Sequence, residues 1–487
     1  MREFVERKGL WVALAVAAGA RALPLFFGLE HYGDSPVRIE AAERWASQPH
    51  LWRGFLEAFQ YGPLHLTLIG AAIRLGLPRV AAARLWSLAG GLIAVWLVHR
   101  LTRKLGKSPE AALLAALGLA LSPLHIQAST TGASEAPFLA LLLGTLALLY
   151  EEHTLLAALC LGAAGLIRYD GWLYLPLVTA LLWWRTRDVP RSVGFFALGV
   201  APALGWLWIN HLYAGDALAP LHHINEDHRA LAAQGLQFFG PFVYRLYCLV
   251  YWPVAVCAVA TPVLGVLAVL GAFRALLRRE DWELAALAWL PAAYFTFRAA
   301  VLADFRPLSR FALVAGALSL PYAWDALASF SVEARRRALA AALAALVVTA
   351  PALAALSLGR NGSLAEWARP LSPISSLPPG VAQAARYLRD HAKADDVVLL
   401  DGVWDYLDVP LAFAAGLPDH SWIRKSWTVD YEERLKRHDP TLAVLIYQGE
   451  LQYVVHADET AERFTFRGLK FCREAQFVYA TVFRRCL

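Results

Sequence analysis

Long apolar runs separated by short polar stretches dominate the first 358 residues. A membrane-spanning helix needs about 20 mostly apolar residues. Runs of that kind fall at 9–29, 80–100, 110–128, 134–150, 154–168, 170–185, 192–213, 247–273, 282–300, 309–329 and 337–358. A shorter stretch, 62–77, begins at Gly62-Pro63 and carries His65 and Arg74. Its polar residues suit an amphipathic helix lying on the membrane surface. The pattern changes after Pro370. Pro370, Pro373, Pro378 and Pro379 mark a linker. Beyond it, Val381, Ala384, Ala385 and Leu388 share one helical face, and 430–437 reads as a second helix. Val397–Leu400 and 442–447 read as strands, and 452–486 alternates as strands do.

The pattern predicts a multi-pass α-helical membrane protein of about 11 spans with a small C-terminal α/β domain. Its parts are a membrane domain over 1–358, a linker over 359–380 and an extracytoplasmic domain over 381–487. The membrane domain includes an exported loop, 30–79, with interfacial amphipathic helices. Composition agrees. The chain is 58% hydrophobic and 17% charged, with a mean hydropathy of +0.45, which excludes a single soluble domain and a disordered chain. The basic residues are mostly Arg, which we read as a bacterial, GC-rich origin and hence a bacterial inner membrane.

Charge orients the spans. Basic clusters lie at Arg2/Arg7/Lys8, Arg100/Arg103/Lys104/Lys107, Arg185/Arg187/Arg191, Arg274/Arg278/Arg279 and Arg335/Arg336/Arg337. With 62–77 on the surface, all five fall on one side, the cytoplasm by the positive-inside rule. The N-terminus is then cytoplasmic and the C-terminal domain outside. The Glu151-Glu152-His153 connection is acidic where a basic one is expected. The net charge of +6 is spread over these short clusters and gives no nucleic-acid signature. Cys160, Cys248 and Cys257 lie in spans, as small hydrophobes. Cys472 and Cys486 lie in the exported domain, where a disulfide would persist. P-loop, GxGxxG, HExxH and CxxC motifs are absent.

Chemistry gathers on the exported side. After the first run comes Glu30-His31-Tyr32-Gly33-Asp34-Ser35-Pro36, followed by Ile39, Ala42 and Trp45 at helical spacing. Ser35 suits a helix cap and Pro36 its first turn. Asp34 then precedes a helix N-terminus, with Glu40 and Glu43 read as solvated. Other polar groups mark run ends: Glu135 after Ser122-Pro123, Arg168-Tyr169-Asp170, Asn210 to Asp216, and Arg306 with Arg310. An ionisable group at a span centre costs about 2.5–3.5 kcal/mol, so such groups concentrate at ends or at functional sites. His222-His223-Ile224-Asn225-Glu226-Asp227-His228 reads as a polar exported loop, with metal binding as the alternative.

These features resemble the GT-C membrane glycosyltransferases, in particular the protein mannosyltransferase/aminoarabinose transferase-like group (family 39/83). The residues that carry the resemblance are Asp34 after the first span, Tyr61-Gly62-Pro63-Leu64, Ser122-Pro123 to Glu135, Arg168-Tyr169-Asp170-Gly171-Trp172, Asn210 to Asp216, and Arg310-Phe311. Together they cover about residues 1–330. The resemblance implies a polyprenyl-phosphate-linked sugar donor, a protein, lipid or glycan acceptor, transfer on the outer face and inversion at the anomeric carbon. It implies Asp34 as the catalytic general base and Arg168, Arg306 and Arg310 as donor phosphate and sugar ligands. Glu135, Asp170, Tyr61 and His65 would meet acceptor or sugar hydroxyls. A divalent metal is left open, and membrane lipids are the remaining partners. Asp34 is followed by Ser35 rather than the acidic residue of protein O-mannosyltransferases, and the Trp-Trp-Asp signature of oligosaccharyltransferases is absent.

Two other classes compete. A transporter or lipid-linked-sugar flippase would show repeat symmetry and charges at mid-membrane depth. A non-catalytic assembly protein would leave Asp34, Arg168 and Arg310 without a role.

Overall fold

The computed structural model describes residues 2–28, 30, 32, 34–358, 377, 379–402, 408–418, 421–424, 431–446, 462–478 and 480–486. Most of the linker read over 359–380 and the start of the alternating 452–486 stretch lie outside these residues. The chain divides into two compact units: residues 1–28 with 42–375, and residues 29–41 with 376–487.

The first unit is helical. Among the described residues, seven helices are long and apolar enough to cross a membrane. The runs at 110–128, 134–150, 154–168 and 170–185 fold instead as the shorter helices Pro109–Ala120, Glu135–Tyr150, Thr154–Ile167 and Asp170–Thr186, the first followed by Pro123–Ala128. Two Ser-Pro pairs explain the boundaries there. Ser108 and Ser122 each accept a hydrogen bond from the backbone N–H three residues on, and Pro109 and Pro123 follow as first helical residues.

The run at 247–273 is a second correction. It breaks at Thr261, which has a φ of +73°, into Pro241–Val259 and Pro262–Arg278. The break is a bend in one traverse, not a hairpin. Val259 packs on Gly316, Leu264 with Leu320 on Gly118, and Gly271 on the Tyr322 backbone, so both pieces advance in parallel with 309–328. The acidic connection also finds its reason. Glu151 pairs with Arg100 at 2.6 Å and Lys104 at 3.4 Å, while Lys107 reaches Asp281 at 2.8 Å and Asp325 at 2.9 Å. One acidic turn thus neutralises part of the basic cluster at 100–107.

Arg21, within the first helix Arg2–Phe27, is fully buried. Its guanidinium donates to Ser129 Oγ at 2.7 Å and to the Ala17 and Ala120 carbonyls at 2.9 and 2.8 Å, and it meets His125 Nδ1 at 2.8 Å. The Ala120 carbonyl belongs to the last turn of Pro109–Ala120, where a cation suits the helix dipole. This side chain therefore fixes the break between two helices and the buried turn at 129–134 that leads into Glu135–Tyr150.

The second unit holds a sheet with, among the described residues, six strands: β1 (Val398–Gly402), β2 (Trp422–Arg424), β3 (Leu442–Ile446), β4 (Arg463–Phe466), β5 (Leu469–Phe477) and β6 (Ala480–Arg485), in the order β2-β1-β3-β6-β5-β4. β1 pairs in parallel with β2 and β3, and the rest is antiparallel. Side chains alternate between two cores, as a pleated strand requires. Val398, Leu400, Leu442, Val444 and Val482 pack with helices Pro379–His391 and Asp408–Ala415. Leu399, Ala443, Leu445 and Phe483 pack on the other face with Leu435 of Tyr431–Arg437. Cys472 and Cys486 form a disulfide between β5 and the end of β6.

Candidate active site

Three helices of the first unit deliver the polar groups. Glu135 is the first residue of Glu135–Tyr150, and Asp170 the first of Asp170–Thr186. Carboxylates at helix N-termini are favoured by the unpaired N–H groups and the dipole there. Arg168 follows Thr154–Ile167 in extended backbone, with φ −143° and ψ 133°, which ends that helix. Its guanidinium donates through Nε and Nη2 to Asp170 Oδ2 at 2.9 and 2.8 Å, and through Nη1 to Glu135 Oε1 at 2.5 Å. Ser134 Oγ adds a weaker contact at 3.4 Å. Phe138 and Phe311 place their rings 6.0 and 5.6 Å from the guanidinium carbon. Arg168 thus spends most of its five donors on two carboxylates while aromatic rings flank it.

These groups line a narrow pocket, about 30 Å³ of enclosed space within about 510 Å³ when its open mouth is counted. Glu135, Arg168, Asp170 and Arg310 supply its charge, and Phe138, Tyr174, Trp252, Phe295 and Phe311 its aromatic walls. Four of the residues singled out in the sequence meet here. Trp252, buried in the run at 247–273, lines the pocket as well, and nothing in the sequence marks it.

Arg306, Tyr61 and His65 do not line this pocket. Arg306 is exposed. Tyr61 is buried, and its carbonyl accepts from the Tyr169 hydroxyl at 3.1 Å, which in turn accepts from Trp206 Nε1 at 3.0 Å. Gly62 sits against the next turn: a Cβ there would lie 2.2 Å from the Leu166 carbonyl oxygen. The Tyr61-Gly62 motif therefore braces the turn that presents Arg168. His65 meets the Gly132 carbonyl at 3.1 Å and accepts from Trp86 Nε1 at 3.2 Å, holding the turn before Glu135. Asn210 accepts from the Phe55 N–H at 2.7 Å, closing the loop at Gly54.

Asp34 lies in the other unit, at the start of helix Ser35–Ser47. Its backbone carbonyl accepts from Arg38 N at 3.0 Å, so Asp34 rather than Ser35 occupies the cap position. The Asp34 carboxylate is buried and pairs with Arg38 at 3.2 Å. The Ser35 hydroxyl donates to Glu30. Glu40 is buried, not solvated as its place on a charged face predicts, while Glu43 is partly exposed and pairs with Arg79 at 2.6 Å. Glu30, Asp34 and Glu40 make this segment the most acidic buried stretch among the described residues.

The histidine-rich stretch is helical, within Ala219–Phe239, rather than a loop. His222 pairs with Asp216 at 2.7 Å, and buried His228 stacks on Phe305 at 4.2 Å. Among the described residues, no three His, Cys, Asp or Glu side chains gather as metal ligands would.

Residues 24–185 match a family model described as alpha-(1->6)-mannopyranosyltransferase, N-terminal domain. No curated protein sequence matches the chain. The structure of ArnT from Cupriavidus metallidurans bound to undecaprenyl phosphate is similar over 97% of both chains, with a TM-score of 0.64 at 14% identity. Its apo form gives 0.59 at 16% identity, again over 97% of both chains. The archaeal oligosaccharyltransferase AglB from Archaeoglobus fulgidus, in complex with an inhibitory peptide and a dolichol-phosphate, gives 0.51 at 15% identity over 90% of this chain and 69% of that one. The chain is a multi-span membrane protein with the GT-C glycosyltransferase fold.

Proposed function

We propose that the chain is an inverting glycosyltransferase. It moves a sugar from a polyprenyl-phosphate carrier to a hydroxyl acceptor on the outer face of the bacterial inner membrane. The observation that carries this reading is the pocket in which Glu135, Arg168, Asp170 and Arg310 converge, within a fold shared with a structure bound to undecaprenyl phosphate.

In the proposed step, Asp34 removes the proton of the acceptor hydroxyl as that oxygen attacks the anomeric carbon. The bond from that carbon to the phosphate oxygen breaks with inversion, and the lipid phosphate leaves with the electron pair. A phosphate needs no proton to depart, so one base suffices, unlike the two carboxylates of glycoside hydrolysis. The leaving charge needs cations. Arg310 and Arg306 are the better candidates, because Arg168 is already committed to Glu135 and Asp170. Glu135 and Asp170 accept hydrogen bonds from sugar hydroxyls. The acceptor is a hydroxyl of a protein, a lipid or a glycan.

The charge pairs among Arg100, Lys104, Lys107, Glu151, Asp281 and Asp325 support a cytoplasmic face opposite the site, with the N-terminus inside. Replacing Asp34→Asn is expected to lower sugar transfer from a polyprenyl-phosphate donor by about 10²- to 10⁴-fold while leaving the folded yield unchanged. Transfer at the wild-type rate, measured in membranes with a labelled donor, overturns Asp34 as base.

A further inference from the structure

Trp252 is 2% exposed, and its indole N–H finds no acceptor among the described residues. An indole offers one donor and no acceptor. A buried donor left without a partner is costly, and ordered water or a ligand normally satisfies it. Trp172 and Trp289 carry indole N–H groups in the same condition, but neither lines the pocket that holds Arg168. Trp252 does, and the same pocket is lined by Glu135 and Asp170.

The pocket therefore combines one donor without an acceptor of its own and two carboxylates that can only accept. A phosphate, which offers acceptors alone, fits the tryptophan and Arg310, which also lines the pocket, but not the two carboxylates. A sugar hydroxyl accepts through its oxygen and donates its hydrogen, so it fits both at once. The aromatic walls suit the C–H faces of a sugar ring, as apolar linings with a few placed polar groups do in small-ligand sites. We propose that this pocket is the sugar subsite and that the Trp252 N–H donates to a hydroxyl oxygen of the donor sugar. The proposal rests on the glycosyltransferase reading above.

The test is donor binding by the full chain in lipid nanodiscs. The probes are undecaprenyl phosphate alone and the same carrier bearing mannose, glucose, galactose or 4-amino-arabinose. At least one sugar-bearing carrier should bind more tightly than the bare carrier. Trp252→Phe should then weaken that carrier by about three- to tenfold and leave the bare carrier unchanged, as loss of one hydrogen bond predicts. An isosteric benzothienylalanine at position 252, which replaces the N–H by sulfur without opening a cavity, should do the same. Without ligand, the isostere should melt no lower than wild type, because it removes a donor that has no acceptor. Trp172→Phe and Trp289→Phe should not change the ratio of sugar-bearing to bare carrier.

If no sugar-bearing carrier outbinds the bare one, the subsite assignment falls and the carrier reading stands. If the Trp252 variants weaken both carriers equally, Trp252 serves the phosphate or the fold, and the inference falls. If they weaken neither, the donor is unused and the inference falls again. Failure of every carrier to bind the wild type overturns the glycosyltransferase reading itself.

Discussion

Two arginines of the membrane unit, Arg21 fully buried and Arg168 largely so, invite comparison. Arg21 is fully enclosed and meets only neutral groups: two carbonyls, a hydroxyl and an imidazole. Arg168 meets two carboxylates and faces a pocket. Both break the rule that charge avoids apolar surroundings, and both are well satisfied. What separates them is the neighbourhood. Arg21 ties helix ends together, and its partners leave nothing for a ligand. Arg168 sits where acids, a second arginine and aromatic rings share an accessible space. Burial of a charge is thus a weak sign of function, whereas a charge whose partners also face a cavity is a stronger one.

The largest expected effect tests the structural side. Arg21→Ala should destabilise the protein by about 4 kcal/mol, since it opens a cavity and strips the Ala120 carbonyl and Ser129 of their partner. Thermal melting in detergent checks this, and transfer per folded molecule should stay near wild type. A variant that melts normally but loses its rate would erase the distinction. The next effect tests the other side. Arg168→Lys keeps the charge but loses the planar fork that spans Glu135 and Asp170. Transfer should fall by about a hundredfold, or about 2.7 kcal/mol, with a modest change in melting. A rate within twofold of wild type would make Arg168 as incidental to chemistry as Arg21.

The smallest effect concerns a third arginine. Arg484 pairs with Glu474 at 2.8 Å and Asp396 at 3.3 Å, the same recipe of one arginine and two acids. It lies in the sheet unit, and none of its trio lines the pocket described above. Burial opposes ionisation of Asp396, but the Lys393 N–H, the Thr441 hydroxyl and Arg484 outweigh it and hold the carboxyl below its usual range. A carboxyl whose folded pKa is depressed adds stability above its unfolded pKa, near 3.9, and loses it as pH falls through the folded value. Protection of the β3 amides, corrected for the intrinsic pH dependence of exchange, should therefore be constant above about pH 5 and fall below about pH 4. Asp396→Asn should flatten that dependence and leave sugar transfer untouched. An activity loss in that variant would show that the recipe alone marks function.

Much of the fold was legible because apolar length and helical or alternating period are local properties. The seven long apolar helices, helix 379–391 and the strands at 398–402 and 442–446 follow from them, while four of the eleven apolar runs fold as shorter helices. The break at Thr261 was not, because a continuous apolar run conceals a backbone bend. Asp408–Ala415 and Trp422–Arg424 are too short to show a period. Arg21 sat inside a span, where sequence gives no view of the Ala120 carbonyl and Ser129, 99 and 108 residues away. At the candidate site, Glu135, Arg168, Asp170 and Arg310 each stood out as polar groups at run ends. Their convergence did not, since Glu135 and Arg168 are 33 residues apart. Glu40 was misread because a charged stretch is usually solvated, and tertiary burial overrode that tendency; the stretch at 222–228 was misread as a loop because its polar run hides the helix, of which only His228 among these residues is buried.

The contact of Gly62 with the turn at 166–167 also bears on inheritance. Any side chain at position 62 would strike the Leu166 and Ile167 carbonyls, and so disturb the turn that presents Arg168. The Tyr61-Gly62 and Arg168-Tyr169 motifs are then not two marks but one, written in two places. Descendants of a common ancestor should keep both or lose both, and a search pattern that demands the pair should separate true kin from chance matches better than either motif alone.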